Sequence, residues 1–210
     1  MTILAFEFSS ERRSVVLARG GAVLSEAVEQ TGGRGTNALG LIEKVLAAAK
    51  ISREEIEVIA IGTGPGSYTG IRAAIAVAQG WQLARSVKLL GVSSADCLAA
   101  QAQTEKIFGL VNVVIDAQRG EFYLAGWEIS AAERKLVEPL KIVPAAAVEA
   151  RKLAGEICVG PEAGKILFPS AAMVAQLAAG QTDFVAGEKL EPIYLRETTF
   201  VKAPLAVRAY

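Results

Sequence analysis

Ile61-Gly62-Thr63-Gly64-Pro65-Gly66-Ser67-Tyr68-Thr69-Gly70-Ile71-Arg72 joins two segments of different periodicity. Before it, Val58-Ile59-Ala60-Ile61 is an unbroken apolar run, the pattern of a strand covered on both faces. After it, Ile71 to Ala84 holds no breaker except Gly80 and reads as a helix. Strand, glycine loop and helix in that order make a tight βα connection of a parallel sheet. The same geometry can also aim backbone N–H groups at an anion. The stretch matches neither common phosphate motif: Gly64 to Gly70 lacks the Gly-Lys-Ser/Thr ending of a P-loop, and the Gly-x-Gly-x-x-Gly spacing fails at Ser67. Ser67 and Thr69 are candidate helix caps. No histidine or lysine stands near Ser67 to activate it, so a serine nucleophile is not supported.

Upstream of the loop, Thr2 to Phe8 is nearly all apolar, and Ser14 to Ala18 and Ala22 to Val28 follow after short polar turns, an antiparallel meander. A helix is predicted from Asn37 to Lys50, with Leu39, Ile42, Val45 and Leu46 at helical spacing. Ser52 and Glu55 have the spacing of a capping box. Downstream come a strand at Leu89 to Val92 and a helix at Ser94 to Gln103. The pattern then restarts: strands at Phe108 to Ile115, Glu121 to Glu128 and Lys135 to Val143, and a helix from Pro144 to Leu153 with proline in its first turn. A strand at Ile157 to Gly160 and a helix at Ser170 to Ala178 complete it. Leu4-Ala5-Phe6-Glu7-Phe8-Ser9 and Val113-Val114-Ile115-Asp116-Ala117-Gln118 repeat one device: apolar strand, acid, polar turn.

These elements predict an α/β chain of two domains, residues 1–105 and a smaller or more irregular 106–210, each a βββαβα unit. That is the plan of the actin-like (ASKHA) ATPases, whose paired hairpins clamp phosphates between the domains. Glu7 and Asp116 end equivalent strands, where a carboxylate could hold a metal ion or orient water beside a nucleotide, with Ser9 and Gly120 in the turns behind them. Acids at strand ends facing solvent are the other reading. Residues 9–13 contain no glycine, and Glu11 puts a negative charge where a phosphate would lie, so ATP hydrolysis by this chain alone is not expected.

Composition bounds the function. Lysine plus arginine and aspartate plus glutamate both number 22, so the net charge is zero and any nucleic-acid role is shared with a partner. Hydrophobic residues make up 52% and aromatics 6%, an aliphatic surplus that points to a contact surface beyond the chain's own core. Histidine is absent, which removes histidine-based triads, metal ligation and pH switches. Cys97 and Cys158 share no metal-ligand spacing and read as buried thiols. With no secretory signal pattern and no membrane-length apolar run, the reading is a cytoplasmic protein with no membrane partner and no metal site.

The helix after the loop carries its polar residues, Arg72, Gln79 and Gln82, in a single narrow stripe, and apolar residues wrap the rest. At about 1.5 Å per residue it is roughly 21 Å long, enough to form the centre of an interface. Small residues including Ala74 and Ala78 would admit a second helix. The partner-facing candidates are Arg72, Ala74, Ile75, Ala78, Gln79 and Trp81, with Leu39 and Ile42 from the preceding helix. Burial inside the chain's own interdomain cleft is the alternative.

Gly64-Pro65-Gly66-Ser67-Tyr68-Thr69-Gly70-Ile71-Arg72 with Ala78-Gln79-Gly80 closely resembles the signature of the TsaB (YeaZ) family. Gly91-Val92-Ser93, Ile115 to Tyr123, and Glu191-Pro192-Ile193-Tyr194-Leu195-Arg196 extend the match in the family's order. The resemblance implies an actin-like fold without catalysis of its own, pairing with the related catalytic subunit TsaD and the ATPase TsaE to make N6-threonylcarbamoyladenosine at tRNA position 37. It implies dimerisation through the first domain's helices, self-association when alone, tRNA contact only through the complex, and ATP and metal in the partner subunits, with no cofactor in this one. A free-standing actin-like ATPase or kinase is the alternative. The family's usual aspartate and threonine after the first strand are Glu7 and Phe8 here, and Gly35 stands where a histidine is common, departures that weaken a nucleotide site and leave the scaffold reading intact.

Overall fold

Strands β1 (Thr2–Glu7), β2 (Arg12–Arg19) and β3 (Ala22–Gln30) form the expected meander, and β4 (Val58–Gly62) and β5 (Lys88–Val92) complete a sheet ordered β3-β2-β1-β4-β5. β1 runs antiparallel to β2 and parallel to β4. Residues 1–30 and 37–196 of this computed structural model are described; Gly35 and residues 197–210 lie outside them. Period two decides the packing of β1. Leu4 and Phe6 enter one core, under α1 (Ala38–Ala49) and α2 (Tyr68–Ala84), while Ile3 and Ala5 enter another on the opposite face. A central strand covered on both sides has no polar face to show, hence the apolar runs at residues 2–6 and 58–61.

The second sheet, ordered β10-β9-β6-β7-β8, is built from β6 (Gly109–Asp116), β7 (Glu121–Ile129), β8 (Arg134–Pro144), β9 (Ile157–Gly160) and the two-residue β10 (Lys165–Ile166). It repeats the first: β6 is antiparallel to β7 and parallel to β9, as β1 is to β2 and β4. The actin-like plan is therefore present twice. The repeat has one departure from expectation. β9 and β10 are joined by residues 161–164 alone, so the second half has no counterpart of α2.

The helix predicted at residues 170–178, α5 (Ala171–Ala178), packs instead on the first sheet, in one core with Ile3, Val16 and Cys97. Conversely α3 (Ser94–Thr104), which follows β5, places Leu98, Ala99 and Ala102 against Val113 and Ile115 of the second sheet. α5 has thus left its own sheet to cover the first, whereas α3 lies between the two, with Cys97 and Ala100 in the first core and Leu98, Ala99 and Ala102 in the second. A cut at 105/106 follows the two sheets but separates α5 from the strands it covers. The layers run α1 and α2, first sheet, α3 and α5, second sheet, and α4 (Ala145–Leu153) on the far side.

Local chemistry agrees with the element ends. The Asn37 side chain accepts from Gly40 N–H to cap α1, and Lys50 closes it in the left-handed conformation. The capping box between Ser52 and Glu55 is formed, around a 3₁₀ turn at Arg53–Glu55. Ser67, not Thr69, caps α2, accepting from Gly70 N–H, so the helix starts three residues before Ile71. Pro144 is the N-cap of α4 and not in its first turn. Both cysteines are buried, as expected.

Candidate functional site

Two of the concave regions among the described residues hold sequence candidates: a cleft between the sheets and a groove between α1 and α2. The cleft, about 690 Å³, forms where the β1–β2 turn, the glycine loop and the β6–β7 turn converge. Glycine makes that convergence possible. A Cβ on Gly70 would overlap the Phe8 carbonyl oxygen, and one on Gly66, at φ +144°, the Ser9 carbonyl oxygen. With those hydrogens in place of side chains, Ser67 N–H donates to Ser9 O at 2.6 Å and locks the loop to the first turn.

Of the four nucleotide-site candidates, the cleft contains Ser9 and Asp116; Gly120 closes the adjacent turn without lining it. Glu7 is elsewhere. It is fully buried, with Oε1 accepting from Ser9 N–H at 2.7 Å and Oε2 accepting from the Ser94 hydroxyl at 2.9 Å. Its carboxyl fills the space over Gly62, where a Cβ would collide with it. Burial pushes the Glu7 carboxyl above its ordinary value, opposed by the hydrogen bonds from Ser9 and Ser94. Neither expected role, metal ligand or solvent-facing acid, fits a side chain turned into the junction of β1, β4 and α3.

The β6–β7 turn places both Gln118 and Arg119 at positive φ, 64° and 60°, a conformation that costs non-glycine residues energy and concentrates at functional sites. Asp116 accepts from Gln118 N–H at 2.7 Å and from the Gln118 side chain. Glu162, which sequence reasoning did not single out, accepts from Asp116 N–H at 3.3 Å. Desolvation raises the Glu162 carboxyl, as do the charges of Asp116 and Glu11, against the Asp116 hydrogen bond. Three carboxylates, Glu11, Asp116 and Glu162, share the cavity wall with two guanidinium groups, Arg119 and Arg196, the latter donating to Ala117 O and Glu121. Carboxylates outnumber guanidinium groups on this wall, a balance that disfavours a polyphosphate, which is held by converging N–H groups and cations.

The far wall of the cleft comes from the chain's C-terminal part. Tyr194 stacks on Tyr68 at 5.3 Å between ring centroids, and the Arg196 guanidinium donates to Ala117 O at 2.9 Å and to Glu121 at 2.6 Å. Periodicity had no means of finding them, because residues 190–196 form no helix or strand.

The groove between α1 and α2, about 550 Å³, has Leu39, Ile42, Val77 and Trp81 among its walls. Ala76, Gly80 and Ala84 recur every four residues on one exposed helix face, leaving its backbone open to close approach. Arg85 pairs with Glu54 at 2.6 Å at one end, and the Arg53 guanidinium lies 6.0 Å from the centre of the Trp81 ring. Leu39 is 64% exposed and Leu83 90%.

Of the partner-facing candidates, Leu39 and Trp81 line this groove, while Ile42 lies at its floor, buried in the first core and corrected to a core residue. Ala74, Ile75 and Ala78 do not line it; they are buried against the first sheet and are corrected to core residues. Gln79 is also removed from the set, because its side chain donates to Gly187 O at 2.8 Å. Arg72 is exposed but donates to the Tyr68 hydroxyl at 2.8 Å and lies over that ring. Reasoning from the sequence missed Gly80, Ala84 and Leu83 because a helix apolar most of the way round does not reveal which side faces the sheet.

A family model described as "TsaD: tRNA N6-adenosine threonylcarbamoyltransferase" matches residues 33–194. The chain is 30% identical to the tRNA threonylcarbamoyladenosine biosynthesis protein TsaB of Escherichia coli, over 93% of this chain and 95% of that protein. It is similar to two solved structures from Pseudomonas aeruginosa. One, titled as an uncharacterized protein with similarity to peptidase YEAZ, has a TM-score of 0.77 at 26% identity, over 93% of this chain and 99% of the other. The second, titled YeaZ, has a TM-score of 0.74 at 26% identity, over 92% and 99%. No described helix is long and apolar enough to cross a membrane.

Proposed function

The chain belongs to the TsaB (YeaZ) family, and from that premise we propose that it is a non-catalytic scaffold for tRNA threonylcarbamoyladenosine synthesis. Its partner is a TsaD-like catalytic subunit, joined by a TsaE-like ATPase, and alone it pairs with a second copy. tRNA is met through the complex, and ATP and metal belong to the partners. The family model carries the name of a transferase, yet this chain has no histidine for metal ligation, and the resemblance implies that the metal is held in the partner subunits. The excess of carboxylates over guanidinium groups in the cleft argues in the same direction, against a free-standing ATPase.

The observation that carries the reading is the α1–α2 groove. Leu39, Trp81 and Leu83 offer apolar surface beside a stripe of small residues, which suits a pair of helices from a partner with the same fold. Gly80 tests it, because a Cβ there meets nothing within 4 Å. Gly80→Ala should raise stability by about 1 kcal/mol through helix propensity and keep the partner. Gly80→Arg should fold equally well and lose co-purification with the host's TsaD homologue as well as the homodimer. Complex formation by Gly80→Arg at wild-type affinity would remove this face from the interface.

A further inference from the structure

After α5 the chain turns back across the molecule. Val185 N–H donates to Leu89 O at 2.9 Å beside β5. The 3₁₀ turn Gly187–Lys189 is then gripped by α2: Gln79 donates to Gly187 O and Gln82 accepts from Gly187 N–H, both at 2.8 Å. Leu190 is buried in the first core, and Ile193 N–H donates to Thr63 O at 2.8 Å in the glycine loop. To that point every anchor lies in the first half. Tyr194 then stacks on Tyr68, the first residue of α2, and Arg196 crosses to Ala117 and Glu121 of the second sheet. These last contacts stand at the mouth of the cleft, whose floor residues Ile115, Ala117 and Tyr123 pack with α3 in the layer that joins the halves.

We infer that residues 185–196 are a latch across the cleft, with Arg196 holding the β6–β7 turn closed and Tyr194 tying that state to α2. A latch needs an opposing force, and the walls supply one. Glu11 of the first half and Asp116 and Glu162 of the second face one cavity and outnumber the guanidinium groups of Arg119 and Arg196 there, and the field of Glu11 contributes to the raised Glu162 carboxyl. Opening relieves that repulsion, while closure gains two hydrogen bonds from one guanidinium and the Tyr68–Tyr194 stack. The structure is the closed member of this pair of states. α2 participates through a continuous set of contacts, Arg72 to Tyr68 to Tyr194, so the end of the exposed helix and the state of the cleft are mechanically joined.

The test is a distance distribution between the halves of the full chain, from spin labels at Glu43→Cys on α1 and Glu149→Cys on α4, both exposed, with the native thiols buried. Arg196→Ala should lengthen and broaden the distribution, with the open population rising about tenfold for the loss of charge-assisted hydrogen bonds. Glu121→Gln, which keeps the bond to Ala117, should shift it less, and Tyr194→Phe, which keeps the stack, should not shift it. A distribution for folded Arg196→Ala that superimposes on the wild type overturns the latch. If Arg196→Ala does not fold, Glu121→Gln decides: a shift supports the latch and an unchanged distribution overturns it.

Discussion

Glu7 offers a measurement in which burial, hydrogen bonding and pH can be separated. In the folded protein its carboxyl is held above the ordinary value of 4.5 by desolvation, so the folded state keeps a proton that the unfolded chain gives up. Stability changes with pH in proportion to the protons bound by the unfolded state minus those bound by the folded state. That difference is negative from about pH 4.5 upward to the folded pKa. The contribution is therefore fully present below pH 4.5 and is lost as pH rises through the folded value, by up to about 1.4 kcal/mol per pH unit within the window. Glu7→Gln removes the ionisation but not the shape. Its amide oxygen can accept from Ser9 N–H and its NH₂ can donate to the Ser94 hydroxyl, the two partners the carboxyl uses now. Urea midpoints for wild type and Glu7→Gln across pH 4 to 9 should run close together at the acid end and diverge as pH rises, the variant becoming relatively more stable. Glu162 and Asp96, whose carboxyls burial also raises, tilt both curves and cancel in the difference. Parallel curves, or a variant that loses ground as pH rises, would refute the reasoning.

Two further outcomes rest on close contacts. Gly70→Ala would drive its Cβ into the Phe8 carbonyl oxygen, which belongs to backbone and cannot step aside, and should cost about 3 kcal/mol by urea denaturation. On the far face of the second sheet, Arg151 donates to the fully buried Asn112 and forks onto Glu138 at 3.0 and 2.8 Å. Arg151→Met leaves the Asn112 oxygen without that donor and should cost about 2 kcal/mol in thermal unfolding, part of which Asn112→Val in the same background recovers.

The order of elements was legible because it rests on short-range physics. Residues 2–6 and 58–61 announce covered strands by lacking any polar alternation, and Asn37, Ser52 and Ser67 mark turn starts because their side chains bond N–H groups a few residues on. The placement of α5 on the first sheet and of α3 between the two was not legible, since an alanine-rich helix fits either sheet and connection length alone does not choose. The cleft was half legible. Asp116 and Ser9 were found from the repeat of the two hairpins, whereas Glu162, Tyr194 and Arg196 come from irregular segments whose positions depend on the whole fold. Glu7 was read by its place at a strand end, but strand-end position does not say which way a side chain turns. The empty space over Gly62, on a neighbouring strand, decided it.

α2 shows how one misread feature moved several residues at once. The sequence reading puts Arg72 and Gln79 of its polar stripe on one partner face with Ala74, Ile75, Ala78 and Trp81. In the structure Gln79 and Gln82 point at Gly187 and are half-buried under the returning chain. These two glutamines satisfy the backbone of a segment with no ladder of its own, which is why a polar pair persists on an otherwise apolar helix. Once the stripe belongs to the returning segment, the phase of the helix follows: Ala74 and Ala78 turn to the sheet, and Ala76, Gly80 and Ala84 turn to solvent. The glycine loop then has two tasks, both structural. Gly66 and Gly70 let it sit directly on the first turn, and Thr63 O receives Ile193 N–H, so one loop sets the start of the exposed helix and carries the strap that crosses the cleft.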